Sequence, residues 1–390
     1  MFYKRNSTWL KLSCCLASTL ALVVFLGTAH IAYSSQQIAQ KDKSRVEVVF
    51  VLDTTGSMSS LIDGAKKKIW AIANGIVDQN PDADIYVGLV GYRDIGDEYV
   101  TKYFPLTTDI QQIYGELLTF RADGGGDTPE SVNEALDVAV TRLGWSDPKT
   151  TKASRIIFLV GDAPPHMDYK QDRKYQEVVS EAVQRGIIVN AVQCGDMLST
   201  TEIWKEIASL GKGEYMHLPQ DGGRIIVIET PYDITIRKIQ ILINQTVIPY
   251  GSIQQQRDVR GKAKLFESAP APASADMASF VNKSSKGERA VTGHGDLVVD
   301  SNGNSELLKS LKSEELPEDL QGMSEEERGL HLATLYFERK ELTRQLAEQV
   351  KLRDEYIHNA TAKSVSGKGG ESLTDSFDTS VSKALKKQIR

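Results

Sequence analysis

The chain has 390 residues, 41% of them apolar and 25% charged, with three cysteines and a formal net charge of −6. Such figures are ordinary for a globular protein and exclude a collagen-like, a multi-span membrane or a disulfide-stapled fold. The acidic balance argues against a nucleic-acid binder, which carries a basic face, and the length allows two or three domains.

The first eleven residues hold Lys4, Arg5 and Lys11 and no acid, and an apolar run follows from Cys14 to Leu26. A basic head, a short apolar core and the small residues before Ser35 predict a secretory signal peptide over residues 1–34, and hence export to the periplasm or the extracellular space. The alternative is an uncleaved membrane anchor, extended past His30 by Ile31, Ala32 and Tyr33. Removal of the segment leaves 43 basic and 52 acidic residues, a net charge of −9, and one cysteine, Cys194. The mature chain then has no internal disulfide and relies on core packing.

Apolar runs at Val46–Leu52, Ile85–Val90, Ile156–Val160 and Ile187–Val192, with weaker ones near Tyr99–Phe104 and Tyr215–Leu218, predict strands of a mainly parallel sheet covered on both faces. Helix-period stripes alternate with them, the clearest being Leu61, Ala65, Ile69, Ile72 and Ile76. The predicted fold is a doubly wound, Rossmann-like α/β domain over residues 44–250. Residues 251–303, rich in Ala, Ser, Pro and Lys around 267–290, predict a flexible linker. A helical region follows over residues 304–390. Ser324 and Glu327 form a capping box there, and Leu335, Leu342, Leu346, Val350 and Ile357 form a stripe suited to pairing with another helix. Glu341 with Arg344 and Glu348 with Lys351 mark the solvated side. This region is expected to serve as a spacer or as an oligomerisation arm.

The strongest chemical signal is Asp53-Thr54-Thr55-Gly56-Ser57, placed where the first strand ends and the first helix begins. One carboxylate and two hydroxyls at alternate positions make a hard-oxygen half-shell for Mg²⁺ or Mn²⁺. The same spacing also suits a plain helix cap at Ser57 or Ser59, with Thr55 in the turn. Gly124-Gly125-Gly126-Asp127-Thr128-Pro129-Glu130 is a glycine loop that opens a helix, with Pro129 at the first helical position. Ile156 to Asp162 is a buried strand ending in Gly-Asp, and a carboxylate there is costly to bury unpaired.

These three segments in this order resemble the von Willebrand factor type A family and its metal-ion-dependent adhesion site. Gly91 to Asp94, Gly124 to Glu130 and Phe158 to His166 are further similar to a bacterial exported branch of that family. The resemblance implies that Asp53, Thr55 and Ser57 supply the first metal loop, the glycine loop the second and Asp162 the third, around Mg²⁺ (or Mn²⁺ or Ca²⁺). It also implies that a position on the metal stays open for a carboxylate from a protein partner. Many family members place Thr directly after the glycines; here Asp127 comes first and Thr128 second. If Asp127 faces the metal, three carboxylates hold the cation tightly and weaken its pull on an incoming carboxylate. If Thr128 faces it, the usual behaviour returns.

Asp94, Asp97, Asp123 and Asp127 are expected to border the same face as an acidic rim, with His166 as a rim contact. The sequence holds no Walker loop, zinc-protease motif or nucleophile elbow, so the expected function is non-enzymatic: a cation-dependent protein-binding module. The alternative is a structural envelope protein acting through its helical arm, with the metal only stabilising the fold.

Overall fold

The computed structural model describes residues 45–389 apart from residues 127, 221–227, 286 and 367–376, and apart from the side chains of residues 288, 290, 291, 362–366 and 378. The expected signal peptide and its anchor alternative lie outside the described residues. Among the described residues no helix is long and apolar enough to cross a membrane.

Six strands build one sheet: β1 (Arg45–Asp53), β2 (Asp84–Tyr92), β3 (Thr101–Thr107), β4 (Ala153–Gly161), β5 (Ile187–Cys194) and β6 (Lys212–Leu218), in the order β3-β2-β1-β4-β5-β6. β1 runs parallel to both β2 and β4, β4 to β5 and β5 to β6, and the edge strand β3 is antiparallel to β2. The near-continuous apolar runs follow from burial on both faces. Along β1, Val46, Val48, Phe50 and Leu52 enter one core, while Val49 and Val51 enter the other.

Helices α3 (Val132–Thr141), α4 (Tyr175–Gln184) and α5 (Leu198–Leu210) cover the second face. The first is covered by α1 (Ser59–Val77) and α2 (Ile110–Thr119), then by α6 (Asp233–Gln245), α7 (Ile253–Ser268) and α8 (Ala271–Lys283). Four short helices follow: α9 (Gly287–Thr292), α10 (Leu297–Asp300), α11 (Glu306–Ser310) and α12 (Glu318–Gln321). The chain closes with α13 (Glu325–Ser366) and α14 (Phe377–Gln388).

The linker expected over residues 251–303 is corrected by this arrangement. α7 begins with a capping box formed by Ser252 and Gln255, and α8 begins at the Pro-rich turn, where proline is tolerated. The small residues that suggested flexibility, Ala273, Ser274, Ala275, Ala278 and Ser279, are buried helix-contact positions. They let α8 approach α1 closely, so that Phe280 meets Trp70 edge-on with ring centroids 5.6 Å apart.

The helical arm is corrected as well. Residues 44–390 form one compact unit. The predicted capping box is in place, with Ser324 N donating to Glu327 Oε2 over 2.7 Å and Glu327 N to Ser324 Oγ over 3.3 Å. However, the stripe of α13 packs inward on α6 and α8: Leu342, Leu346 and Val350 belong to the main core. Arg339 and Arg353 lie on the same side and are also buried. Arg353 Nε meets Asp233 Oδ1 and its Nη2 meets Asp276 Oδ1, each at 2.8 Å. Arg339 Nη1 meets Asp296 at 2.5 Å. Sequence pattern placed the stripe correctly; its partner is this chain's own domain, so it is neither a free spacer nor a free oligomerisation seam.

The terminal helix α14 completes the first face. Phe377, Val381, Ala384 and Leu385 are buried, and Phe377 tilts against Phe50 at 6.3 Å. Gln388 exchanges hydrogen bonds with Asn190 of β5, at 2.7 and 3.0 Å. Phe377→Ala is therefore expected to cost about 3 kcal/mol through the cavity it leaves. Urea denaturation checks this, and an unchanged midpoint would mean that α14 is not part of the core.

Candidate metal centre

The strand order reverses between β1 and β4, and the carboxyl ends of these two neighbours open a crevice, the usual ligand position of a doubly wound sheet. Asp53 closes β1, and Asp162 follows the last residue of β4. The turn after β1 is held in shape by its own side chains. Asp53 Oδ1 accepts from Thr55 N at 2.8 Å and from Thr55 Oγ1 at 2.6 Å. Thr55 Oγ1 lies 3.3 Å from Ser57 Oγ. Thr54 pins the turn to the neighbouring strand, its Oγ1 donating to Tyr92 O over 2.8 Å. Asp53 and Thr55 are buried and Ser57 is exposed, so the oxygen set opens outward through the serine.

The glycine loop lies against this turn. Gly56 N donates to Gly124 O over 3.2 Å, and Asp123 N to Thr54 O over 3.1 Å. Gly125 has φ +75°, and a Cβ there would sit 2.9 Å from Thr55 Cβ and from Glu130 Oε1. Only glycine combines that backbone with that approach. Gly125→Ala is expected to push the loop off Thr55 and lower cation affinity about tenfold or more with the sheet intact; circular dichroism and a cation titration test the pair of outcomes.

The crevice gathers buried negative charge. Asp53 Oδ2 is buried and has no hydrogen-bond partner among the described residues. Burial, and then the nearby charge of Asp162, push the Asp53 carboxyl up to about 7, against the pull of hydrogen bonds from Thr55 and from the Asp162 backbone. Glu130 is only 3% exposed, and its Oε2 also lacks a partner. Its carboxyl is pushed up to about 9 by burial and then by Asp53, Asp94, Asp97 and Asp162. Asp162 is half-buried and accepts from Gln220 Nε2 at 2.5 Å. A divalent ion would satisfy the orphaned oxygen and offset the repulsion.

The residues present fit a hard cation held partly by water. Among the described residues no group of three or more His, Cys, Asp or Glu side chains is placed to hold a metal ion by itself. The set of Asp53, Thr55, Ser57 and Asp162 resembles an open site more than an all-protein one, as Mg²⁺ prefers. Thr128 is exposed on the glycine loop, and Asp127 lies outside the described residues.

Glu130 is the residue that sequence reading missed. In Thr-Pro-Glu it passes for an ordinary acid at a helix start. Its burial comes from a bridge to the loop after β4, with Glu130 N donating to Pro164 O over 2.9 Å and His166 N to Glu130 O over 3.0 Å. Nothing in local spacing announces that pairing.

The expected acidic rim divides. Asp123 is exposed, its Oδ1 accepting from Gly124 N at 2.9 Å. Asp97 is half-buried and is structural: its Oδ2 accepts from Gly125 N and Asp94 N, each at 3.1 Å. Asp94 and His166 are corrected as rim residues, being 5% and 6% exposed. Asp94 accepts from Ser131 Oγ at 2.8 Å and Tyr169 Oη at 2.9 Å, and His166 stacks on Tyr169 at 3.9 Å. They form a polar support behind the glycine loop, because their loops turn inward to satisfy buried polar groups.

The family model of the von Willebrand factor A domain matches residues 47–229. An alpha-protein kinase of Dictyostelium discoideum is 29% identical over 125 residues, covering 31% of this chain and 19% of that protein. An ariadne-like RING finger protein of Acanthamoeba polyphaga mimivirus is 25% identical over 162 residues, covering 40% of this chain and 15% of that one. The chain thus spans less than a fifth of the length of either curated relative. Among solved structures, the conserved protein BatB from Bacteroides thetaiotaomicron is 17% identical over 45% of this chain and 90% of that one, with a TM-score of 0.33. Residues 47–229 are a von Willebrand factor A domain, followed by a helical C-terminal region. Domains of this family are protein-interaction modules in many proteins.

Proposed function

We propose that this protein is an exported, non-enzymatic binding module that holds one divalent cation at the crevice between β1 and β4 and engages a protein partner through it. Asp53, Thr55, Ser57 and Asp162 would hold the ion, together with Asp127 or Thr128, and Mg²⁺ or Mn²⁺ suits this oxygen set best. The ion would supply a fixed positive charge at an otherwise acidic face, available to a carboxylate of the partner. The observation that carries the reading is the buried, unpartnered Asp53 Oδ2. Because the turn after β1 and the glycine loop are tied together, little reorganisation would be needed on binding. A pull-down from envelope material, with Mg²⁺ and with chelator, tests the partner. Capture that survives the chelator would contradict the proposal.

The raised Asp53 carboxyl gives the site a pH signature. Its proton, held up to about 7, competes with the cation. Affinity is expected to fall about tenfold between pH 8 and pH 6. The metal-free fold should behave in the opposite sense. The folded chain keeps a proton that an unfolded carboxyl, near 3.8, releases, so stability falls as pH rises from about 4 towards 7. Calorimetry at the two pH values checks the first trend, and melting with and without Mg²⁺ the second.

A further inference from the structure

Positive charge gathers beside the metal centre of this acidic chain. Arg93 follows β2, Lys102 lies on β3 and Arg121 follows α2, and all three line one cleft of about 500 Å³, within the range of ligand sites. The cleft adjoins the turn after β1. Tyr99, also in its lining, has its hydroxyl 2.8 Å from Oγ1 of Thr54, which stands between Asp53 and Thr55.

These cations are incompletely compensated. Arg93 is only 3% exposed; its guanidinium lies 4.5 Å over the Tyr99 ring, and its Nη2 donates to Arg121 O over 2.9 Å. Its carboxylate partner is Glu98, 3.5 Å from Nη1 on a side chain that is 79% exposed. Lys102 and Arg121 are exposed, and among the described residues neither has a carboxylate partner. The nearby acids do not line the cleft: Asp94 accepts from Ser131, Asp97 from Gly125 and Asp123 from Gly124. Three cations therefore meet one carboxylate. A buried charge is ordinarily held by close partners, and the field of Arg93 is weakly screened where its side chain is shut off from water.

The sign selects an anion, and the chain itself narrows the class. Glu98 already sets a carboxylate at Arg93, on a solvent-surrounded side chain that a competing carboxylate can displace. The cations stand on three separate segments, which suits an extended acidic chain better than one compact anion. Building on the metal-centred function proposed above, we infer that this cleft is a second contact for the same partner. An acidic residue flanking the metal-bound carboxylate displaces Glu98 and pairs with Lys102 and Arg121 above Arg93.

Fluorescence anisotropy on the full chain at low ionic strength tests this, with labelled hexa-aspartate as probe and hexa-asparagine as its neutral counterpart. In chelator the cleft alone is expected to bind hexa-aspartate, too weakly to survive a pull-down, and to ignore hexa-asparagine. Lys102→Gln and Arg121→Gln should each weaken binding about threefold, and Glu98→Gln should strengthen it by a similar factor. Lys340→Gln and Glu338→Gln make the same charge changes at exposed positions of α13 outside the cleft, and should leave affinity unchanged. Circular dichroism confirms that each variant is folded. A further gain on adding Mg²⁺ belongs to the metal centre and is lost in Asp53→Ala, so the two readings fail separately. No binding in chelator overturns the proposal, as do equal shifts in the α13 variants, which mean general charge attraction only. Displacement of the peptide by an equal concentration of inorganic phosphate marks a phosphate site instead, and also overturns it.

Discussion

Asp53→Ala is expected to weaken Mn²⁺ or Mg²⁺ binding at least ~100-fold, because it removes a fully buried carboxylate whose Oδ2 has no hydrogen-bond partner among the described residues. Loss of an outer-shell partner alone costs about 10- to 100-fold in typical metal sites, so loss of a direct anionic ligand should cost more. Ser57→Ala removes a neutral hydroxyl at the exposed side of the set and should cost about tenfold. The metal-free Asp53→Ala protein should melt no lower than wild type. The carboxyl it loses is raised to about 7 by burial and by Asp162, which marks it as a liability to the fold while no cation is bound. Calorimetry and thermal melting measure the two effects. Equal cation binding by wild type and Asp53→Ala would remove Asp53 from the site.

The second large effect lies away from the crevice. Arg353 of α13 neutralises Asp233 of α6 and Asp276 of α8, each at 2.8 Å. Asp233, the first residue of its helix, also holds the preceding turn, its Oδ2 accepting from Thr230 N at 2.9 Å and its Oδ1 from Thr230 Oγ1 at 2.8 Å. Removing one partner of a buried ion pair leaves the others uncompensated, at a typical cost of about 3–5 kcal/mol. Arg353→Ala should therefore destabilise the whole chain by about that amount and loosen α13 from the domain. Burial already raises the Asp276 carboxyl even with Arg353 beside it. Without the arginine it should rise further, so the defect should shrink on acidification as that carboxyl is protonated. Urea denaturation at pH 7 and pH 5 tests both statements. A loss under 1 kcal/mol at pH 7 would mean that α13 is only loosely docked.

The sheet was legible because its strands are buried on both faces, so that Val46–Leu52 and Ile156–Val160 read as unbroken apolar runs. The antiparallel edge strand was harder to read, since only Phe104 and Leu106 of β3 pack inward in any depth. The turn after β1 was legible as an oxygen-bearing loop because Asp53, Thr55 and Ser57 are local in sequence, and their own hydrogen bonds set its geometry. Glu130, Asp94 and His166 were misread or missed for the opposite reason. Their burial comes from contacts between loops far apart in the chain, such as Ser131 with Asp94 and His166 with Glu130. The C-terminal half was misread by composition. Alanine and serine signal flexibility when exposed and close helix packing when buried, and sequence alone does not distinguish the two around residues 269–280. Along α13 the period identified the apolar stripe, but it did not show that Arg339 and Arg353 lie on the same side and anchor the helix through carboxylates elsewhere in the chain.

The central claim is that a divalent cation sits between the ends of β1 and β4. A crystal of the full chain soaked in Mn²⁺, with data collected at an energy where manganese scatters anomalously, tests it most directly. One strong anomalous peak is expected in contact with Asp53 Oδ2 and Ser57 Oγ, beside Asp162. The peak should be absent in Asp53→Ala. An empty crevice at saturating Mn²⁺, or a peak only elsewhere on the molecule, would contradict it.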